Sequence, residues 1–477
     1  MLLINKAINL HTKKSNNQVK KRVWLEGKRF AKYAPIGMGL KITDNDEEIV
    51  IDFVDPNSED ATRTVSKRKV RGEDVPLIEI NECNSELLTK MSEDEVLRIV
   101  VKENGIRIRA NKNTVANRRK EREESIKHNL ANNIPLDMGS IFAGGGTFDH
   151  AGHEGFELSG LSTVVRFAID NDPDCIENLA TNVHHIFDSR SVLIESDISL
   201  LNVGNGALPK LNLLKLTPPC TDASKAGKAK KGNKFETSKT AHLIYYYSQI
   251  IERTNPAYVI VENVPSFQNE VSFHLLRALL ESWEYKIHLR VINSHSEGFS
   301  LETRERMFLV AESSGLDSGF SLDNVYPIFE RKDILGEILD DVPLDDDCWK
   351  SKQGLIEKEK RDREAGKGFR MQIFNEASTY IGTIRAQYTK SGSSDPLIKH
   401  PEKDLYRLIN KEEHCRLKSL PESFIDGWPE TTAHKFLGNG LDGMTAKSIT
   451  FELGRCIRLL NSVETSNQQL EPQHQAA

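Results

Sequence analysis

The sequence lacks the features that would place the protein in a membrane or in an oxidising compartment. No apolar run approaches the roughly 20 residues that span a bilayer, and residues 1–14 contain no apolar core of a signal peptide. The 6 cysteines are scattered without a Cys-x-x-Cys pair, which argues against a zinc site or a disulfide framework. We therefore expect a protein of the reducing cytoplasm with no membrane segment and no bound metal.

The chain also lacks an excess of positive charge. Its formal net charge of −6 argues against a protein that coats nucleic acid without selectivity. A nucleic-acid enzyme is still compatible with this charge, because binding depends on where basic residues cluster, and residues 112–122 and 225–234 are two such clusters. With 477 residues, 38% of them hydrophobic and 28% charged, the chain is expected to form two or three soluble domains.

Residues 1–110 are predicted to form a separate β-rich module. Apolar runs at 40–42 and 49–51 flank an Asp-Asn-Asp turn, and Asn104-Gly105 between two further runs is a strong hairpin signal. Basic residues at 66–71 lie between these strands. They could contact DNA, pack within the module or contact another protein, and the sequence does not distinguish these roles. Residues 111–136 are polar on every side, which predicts an exposed linker helix.

From residue 137 onward, short apolar runs alternate with helical stretches, which predicts a doubly wound α/β sheet with parallel strands. The carboxyl ends of parallel strands meet at one edge of the sheet, where such folds bind ligands. The glycine-rich turn Phe142-Ala143-Gly144-Gly145-Gly146 follows the first predicted strand. Polar functional groups follow the next four: Asp170, then Asp197-Ile198, then Pro218-Pro219-Cys220, then Glu262-Asn263.

The glycine-rich turn and the acidic residues suggest an adenosine cofactor. Glycines allow the backbone to approach a ligand closely, and Asp170 stands where an acidic side chain would contact a ribose. Asp197 is suited to accept a hydrogen bond from an adenine amino group. The turn after the first predicted strand does not have the Gly-x-Gly-x-x-Gly spacing of a dinucleotide site, so a dinucleotide oxidoreductase is disfavoured and S-adenosylmethionine is the expected cofactor.

Cys220 is the candidate nucleophile. The two preceding prolines fix φ and remove backbone donors, so the thiol is expected on a stiff loop rather than on a helix. Lys225 and Lys228 lie close in sequence and would favour the reactive thiolate. The alternative, a buried structural cysteine, is disfavoured by the surrounding motifs.

Taken together, these segments resemble the DNA (cytosine-5)-methyltransferases over residues 137–460. The resemblance continues in Arg304-Glu305-Arg306 before an apolar strand, and in residues 407–424. It ends in Gly438-Asn439 followed by Ala446. The chain departs from the family's pattern at Thr147, Thr221, Ala223 and Glu302, and Asp170 replaces the more common glutamate.

The resemblance implies an S-adenosylmethionine-dependent, Rossmann-like methyltransferase sheet with a smaller target-recognition domain. It implies that Cys220 attacks carbon 6 of cytosine and that Glu262 acts as a neutral acid at ring nitrogen 3. Asn263 would orient the loop, and Arg304 and Arg306 would hold the base. The cofactor residues that the resemblance implies are Phe142, Gly144, Gly146, Asp170, Asp197, Ile198, Pro219 and Asn439.

Two regions are expected to contact DNA. The lysine-rich loop after the cysteine, with Ser224, Lys225 and Lys228, would close over an extruded base and contact phosphates, or would be a solvated surface loop. Residues 379–390 alternate like a strand and carry Arg385, Gln387 and Lys390, which can read base edges or simply pack. The expected division is 137–312 for the catalytic core, 313–405 for target recognition, 406–461 for a returning segment and 462–477 for a disordered tail.

The predicted function is methylation of cytosine in double-stranded DNA, by a cytoplasmic, nucleoid-associated monomer. A cognate restriction endonuclease is left open as a partner. Two alternatives use the same fold, a tRNA cytosine-5 methyltransferase and an inactive DNA-binding regulator. The front module and the recognition region disfavour the first alternative, and the intact Cys220, Glu262 and arginine pair disfavour the second.

Overall fold

The computed structural model of the protein describes residues 2–9, 11–15, 18–91, 96–111, 114–204, 207–219 and 240–468. The chain divides into two compact units, Met1–Lys120 and Glu121–Ala477. The sequence places the end of the front module at residue 110. The division in the structure lies ten residues later, within a helix. The finer division into six segments remains a prediction.

The first unit contains two antiparallel sheets. Its elements are β1 Leu2–Asn9, β2 His11–Ser15, β3 Gln18–Glu26, α1 Lys28–Ala31, β4 Gly39–Asp44, β5 Glu48–Val54, β6 Arg63–Thr64, β7 Ser66–Val70, β8 Glu73–Asn81, α2 Glu86–Lys90, β9 Val96–Lys102 and β10 Gly105–Ala110. One sheet has the order β1-β9-β10-β5-β4-β6, and the other has the order β2-β3-β8-β7.

Both hairpins predicted from the turn residues are confirmed in this unit. Strands β4 and β5 pair with Asp44 opposite Ile49, and β9 and β10 pair with Lys102 opposite Gly105. Gly105 is required at its position, because a Cβ there would lie 2.3 Å from the carbonyl oxygen of Ile51. The turn chemistry therefore sets the strand register correctly.

The second unit is built on a seven-stranded sheet. Its elements, beginning with the helix at the division, are α3 Val115–Ala131, β11 Leu136–Ile141, α4 Thr147–Leu158, β12 Thr163–Asp170, α5 Pro173–Thr181, β13 Val192–Glu195, β14 Leu213–Leu216, α6 Leu243–Thr254, β15 Tyr258–Asn263, α7 Val271–Ser282, β16 Tyr285–Asn293, β17 Glu305–Ser313, α8 Gln353–Glu364, β18 Gln372–Phe374, β19 Pro396–Lys399, β20 Tyr406–Arg407, α9 Lys411–Leu417, α10 Glu430–Asn439 and α11 Gly443–Gln468. The order of the large sheet is β13-β12-β11-β14-β15-β17-β16.

This sheet has the predicted doubly wound α/β architecture. Strands β11 to β15 are mutually parallel, and β17 is antiparallel to both of its neighbours. Each face is buried: the core on one face includes residues of α4, α5 and α11, and the core on the other includes residues of α6 and α7. The chain winds outward from β11 to β13 and then resumes at β14, so the strand order reverses between β11 and β14, which is where such sheets bind ligands.

The expectation of a wholly exposed linker helix is wrong for the second half of α3. Arg122 and Ile126 are buried there. The Arg122 guanidinium donates to the Ser313 hydroxyl at 2.7 Å and to the carbonyl oxygens of Trp283 at 2.8 Å and Glu284 at 3.0 Å. A buried arginine is stable when its N–H groups donate hydrogen bonds to acceptors in the protein. The pattern of polar residues along the helix does not show which arginine is buried in this way.

The strand predicted at residues 379–390 is also wrong. The structure has an isolated bridge between Ile381 and Glu302 and a short 3-10 turn at Tyr388–Lys390. The backbone amide of Ile381 donates to the carbonyl of Leu301 at 2.9 Å, and that of Ile384 donates to the Glu302 carboxylate at 2.9 Å. The Glu302 side chain thus accepts the Ile384 amide hydrogen that a neighbouring strand would otherwise accept. Buried and exposed residues still alternate over part of residues 379–390.

The long helix α11 packs against α4 through glycines. A Cβ at Gly155 would lie 2.2 Å from the carbonyl oxygen of Lys447, so the two helices approach closely only because this residue is glycine. Helix α11 continues through Gln468, so the beginning of the tail predicted as disordered is helical. Residues 469–477 lie outside the described residues.

Candidate active site

A cleft of about 260 Å³ opens at the point where the strand order reverses. It lies at the carboxyl ends of β11, β14 and β15, and α10 contributes its far wall. Its walls combine apolar rings with a small number of charged groups, as ligand sites do. The residues that line it are Phe142, Ala143, Gly144, Gly145, Thr147, Phe148, Lys215, Thr217, Pro218, Pro219, Glu262, Asn263, Val264, Arg306, Phe436, Asn439, Gly440 and Leu441.

The glycine-rich turn forms one edge of this cleft. Phe142, Gly144 and Gly146 have φ values of 58°, 59° and 90°, a region that favours glycine. A Cβ at Gly144 would meet no atom within 4 Å, whereas a Cβ at Gly145 would lie 2.7 Å from the Phe436 ring. The turn therefore faces open space at Gly144 and packs against α10 at Gly145. Gly146 caps α4 and does not line the cleft.

The predicted acidic residues lie along the same edge of the sheet but outside the cleft walls. The Asp170 carboxylate accepts from the backbone amides of Gly144 at 2.7 Å and Asp172 at 3.0 Å, so it holds the glycine-rich turn in place. Asp197 accepts from the amide of Ser199 at 2.8 Å, and this hydrogen bond lowers the pKa of the Asp197 carboxyl. Ile198 is buried in the core beneath the edge.

The loop that carries the candidate nucleophile is fixed at its first residues. The Thr217 hydroxyl donates to the carbonyl of Phe142 at 2.5 Å, and the Asn263 side-chain amide donates to the carbonyl of Pro218 at 3.1 Å. Pro219 and Asn439 both line the cleft, as the sequence predicts. The remaining predicted residues of this loop, Cys220, Ser224, Lys225 and Lys228, lie outside the described residues.

Glu262 and Arg306 form an ion pair within the cleft. The Arg306 Nε lies 2.7 Å from Glu262 Oε1, and both side chains are largely buried. Glu262 is the last residue but one of β15, and Arg306 is the second residue of the antiparallel partner strand β17. Glu262 lies opposite Phe308, two residues from Arg306, so the register places both side chains on the same face of the sheet. The sequence predicts both residues at the site, and the structure places them in direct contact.

Arg304 is not among the residues that line the cleft, and its contact with a substrate base remains a prediction. Its side chain is buried and donates to the carbonyls of Gly438 at 2.7 Å and Ile384 at 3.3 Å. Arg304 precedes β17, and its backbone amide donates to the carbonyl of Glu302 at 2.9 Å, so the regular alternation of the strand does not include it. Arg304 instead ties α10 to the segment around residue 384.

Lys215 and Asp149 are site residues that the sequence does not predict. Lys215 sits in β14 and lines the cleft, with its Nζ 2.9 Å from Asp149 Oδ2 and 3.1 Å from the Ser140 hydroxyl. Both side chains are almost fully buried. Lys215 is the only charged residue in the described strand β14, which is otherwise apolar, and that is the one sequence signal that could have identified it. The pair links the strand before Pro218 to the helix after the glycine-rich turn.

Glu302, a departure from the family's pattern, forms a buried ion pair with Lys418. Lys418 Nζ lies 2.5 Å from Glu302 Oε2, and both side chains are inaccessible to solvent. Burial lowers the pKa of Lys418 to about 8, and Arg304 adds to the effect. Burial alone would raise the pKa of Glu302, but the charges of Lys418 and Arg304 outweigh it and lower that pKa.

Lys418→Met is expected to destabilise the protein by about 3–5 kcal/mol, because it leaves the Glu302 charge buried without its main partner. The double variant Glu302→Gln with Lys418→Met should recover most of this loss. Urea denaturation measures both values.

The ion pair also makes the stability of the protein depend on pH. Because the pKa of Glu302 is lower in the folded state than in the unfolded state, ionised Glu302 stabilises the fold fully above its unfolded-state pKa. This stabilisation is lost as the pH falls through the folded-state pKa of Glu302. The wild type should therefore lose stability on acidification more steeply than the double variant, and equal slopes would contradict the assignment.

Of the three predicted base-reading residues, Arg385 is already engaged within the fold. Its guanidinium makes two hydrogen bonds to the buried Asp395 carboxylate, at 2.7 and 2.9 Å, and this partner raises the pKa of Arg385. A bidentate pair of this kind would have to break before Arg385 read a base edge. Gln387 and Lys390 are exposed. Their contact with DNA remains a prediction.

Among the described helices, none is long and apolar enough to cross a membrane.

Comparisons with known proteins agree with the fold. Residues 136–455 match the family model of the C-5 cytosine-specific DNA methylases. The chain is 29% identical over 239 residues to the Type II methyltransferase M1.ScrFI of Lactococcus lactis subsp. cremoris, which is 48% of this chain and 59% of that protein. It is 29% identical over 253 residues to the Type II methyltransferase M.NlaX of Neisseria lactamica, which is 51% of this chain and 76% of that protein.

A solved structure has the same fold. The Dnmt2 methyltransferase of S. pombe superimposes with a TM-score of 0.51 at 16% identity and covers 70% of this chain and 99% of that one. The match to M1.ScrFI spans less than two thirds of that relative's length, and at 16% identity the Dnmt2 likeness establishes the fold alone.

Proposed function

Because the chain belongs to the C-5 cytosine-specific DNA methylase family, we propose that it transfers a methyl group from S-adenosylmethionine to carbon 5 of cytosine in duplex DNA. Members of this family use S-adenosylmethionine as the methyl donor. The single observation that carries the proposal is the contact between Glu262 and Arg306 at 2.7 Å, in a cleft that also holds the start of the Pro218-Pro219-Cys220 loop.

The residues around the cleft fit this cofactor. Phe142, Pro219 and Phe436 provide apolar surface for an adenine ring, and Gly144 leaves open space beside the backbone. Asp170 and Asp197 lie at the next two strand ends, where carboxylates can accept from ribose hydroxyl and adenine amino groups. Asn439 would close the cleft from α10. When bound, the cofactor supplies an electrophilic methyl group.

Cys220 provides the covalent step. Carbon 5 of cytosine is a poor nucleophile, and addition of a thiolate to carbon 6 makes carbon 5 electron-rich enough to accept the methyl group. Removal of the proton from carbon 5 by a base, which we assign to water, then allows the carbon–sulfur bond to break and restores the free Cys220. The two prolines and the Asn263 hydrogen bond hold the beginning of this loop rigid.

Glu262 and Arg306 stabilise the charge that develops in the ring. As the thiolate adds, negative charge builds up toward ring nitrogen 3 and the exocyclic oxygen. A protonated Glu262 can donate to the nitrogen, and Arg306 can donate to the oxygen. Because the two side chains are paired with each other in the structure, Arg306 also fixes the direction of the carboxyl group. The target base must leave the duplex stack to reach them, which costs a few kcal/mol.

Transfer of a tritiated methyl group tests the proposal directly. The protein is incubated with labelled cofactor and, separately, with duplex DNA of mixed sequence and with tRNA. Label in DNA that appears as 5-methylcytosine supports the proposal. Label only in tRNA would favour an RNA methyltransferase, and binding of DNA without any label would favour an inactive regulator.

We further propose that the protein acts as a monomer on nucleoid DNA in the cytoplasm, and a cognate endonuclease is a candidate partner.

Asp170→Ala is expected to weaken cofactor binding about tenfold to a hundredfold with a much smaller effect on kcat at saturating cofactor. The variant removes the acceptor of a ribose hydroxyl and also the two amide contacts that hold the glycine-rich turn. Isothermal titration with S-adenosylmethionine measures the affinity. Asp174→Ala, at a partly exposed position in the first turn of α5, serves as the control and should bind normally. Unchanged cofactor affinity in Asp170→Ala would contradict the assigned contact.

A further inference from the structure

The two units of the chain have opposite charge. Residues 1–120 contain 24 Lys and Arg against 18 Asp and Glu, and residues 121–477 contain 40 against 52. The unit that contains the candidate active site therefore has a net charge of −12, and the first unit has a net charge of +6. A duplex with one negative charge per roughly 1.7 Å of axis is repelled by the net charge of one unit and attracted by that of the other.

One hairpin of the first unit carries four basic residues in six positions, Lys67, Arg68, Lys69 and Arg71, followed by Glu73 and Asp74. We call this hairpin the basic ribbon and define it as residues 66–74. It comprises edge strand β7, a two-residue turn and the start of β8, and all nine residues are exposed. Arg71 and Gly72 have φ values of 50° and 87°, as a tight hairpin turn requires. The ribbon is thus a defined structural feature and not a random cluster of charges in the sequence.

Internal ion pairs occupy only some of the charges on the basic ribbon. Arg68 pairs with Glu26 at 2.6 Å, and Lys67 pairs with Asp74 at 3.5 Å. Lys69 and Arg71 have no acidic partner among the described residues. Exposed basic side chains without such partners are free to contact phosphates, and Arg71 occupies the turn itself.

We propose that the basic ribbon is a second DNA-binding element, in which Lys69 and Arg71 contact backbone phosphates of duplex DNA. A two-stranded ribbon is narrow enough to enter the major groove, and phosphate contacts of this kind add affinity without reading sequence. Lysines on an edge strand also prevent pairing between sheets, a role that requires no DNA. The two roles make different predictions for DNA affinity and for its dependence on salt.

The test uses the full-length chain and three variants. The first is Lys69→Gln with Arg71→Asn, which removes both charges and uses an asparagine because it tolerates the positive φ at residue 71. The second is Lys69→Arg with Arg71→Lys, which keeps both charges. The third is Lys102→Gln with Arg107→Gln, which removes one lysine and one arginine from exposed positions of the six-stranded sheet.

Binding to duplex DNA of mixed sequence is measured from low to moderate salt by fluorescence anisotropy, without cofactor. The neutral ribbon variant should bind about tenfold more weakly near 0.1 M salt, and the slope of log affinity against log salt should fall by about 1.8. The other two variants should keep the wild-type slope. An unchanged slope in the neutral variant, or an equal loss in the third variant, would overturn the proposal.

The ligand class comes from the proposed function, but the two proposals can fail separately. Methyl transfer with an unchanged salt slope would remove the basic ribbon proposal and leave the enzyme assignment intact. If the neutral ribbon variant has a reduced salt slope but the wild type transfers no methyl group, the basic ribbon proposal stands and the enzyme assignment fails.

Discussion

Cys220→Ala is expected to abolish methyl transfer to DNA, with a loss on the order of 10⁶-fold in kcat, as when other enzymes lose their nucleophile. Without the sulfur, no group can add to carbon 6, and carbon 5 stays too electron-poor to accept the methyl group. Binding of DNA should be unchanged or stronger, because alanine removes the reactive group without adding bulk. Label transfer under single-turnover conditions measures the chemical step.

The matched control is Cys83→Ala. Cys83 is an exposed free cysteine of the first unit, and its loss should leave both label transfer and DNA binding at wild-type values. Retained activity in Cys220→Ala would reject the covalent mechanism. Loss of DNA binding together with activity would instead indicate that Cys220 is needed for the fold of its loop.

Glu262→Gln is expected to lower kcat by about 10²- to 10⁴-fold, the usual contribution of a general acid. The substitution keeps the shape of the side chain but removes the carboxyl group that pairs with Arg306 and would serve ring nitrogen 3. The KM for DNA should change far less than kcat, because the contact matters mainly as charge develops in the ring. Steady-state label transfer at several DNA concentrations separates the two constants.

Glu281→Gln is the control for this variant. Glu281 also pairs with an arginine, Arg277 at 2.8 Å, but on the exposed surface of α7, where such pairs contribute little. It should keep wild-type kcat and stability. A Glu262→Gln enzyme with kcat within a factor of two of wild type would show that this carboxyl is not the acid.

The positions of the candidate site groups on the sheet could be predicted from the sequence, because they depend on local signals. Apolar runs mark the parallel strands, and the glycine-rich turn and the Glu262-Asn263 segment follow them directly. Arg304 and Arg385 could not be placed in this way. Their roles depend on Gly438, Ile384 and Asp395, partners that are distant in sequence or buried, and a sequence pattern does not reveal which acceptor a guanidinium meets.

Two departures from the family's pattern have physical explanations that require the tertiary structure. Glu302 brings a negative charge into the core, and Lys418 neutralises it at 2.5 Å. Thr147 replaces a glycine, and a Cβ at Gly440 would lie 2.4 Å from its hydroxyl, so the two residues fit only because the second is glycine. In both cases the compensating residue is more than 100 positions away in the sequence. Nothing in the structure explains Thr221 and Ala223, which lie outside the described residues.

The most direct test of the account is a trapping measurement. A duplex pool of mixed sequence that contains 5-fluorocytosine is incubated with the protein and S-adenosylmethionine, then denatured, and the attached peptide is identified by mass spectrometry. Fluorine on carbon 5 cannot be removed as a proton is, so the carbon–sulfur bond should persist. We expect a covalent complex linked through Cys220 that is absent from Cys220→Ala. A duplex pool that binds the protein and yields no adduct, or an adduct at another residue, would contradict the account.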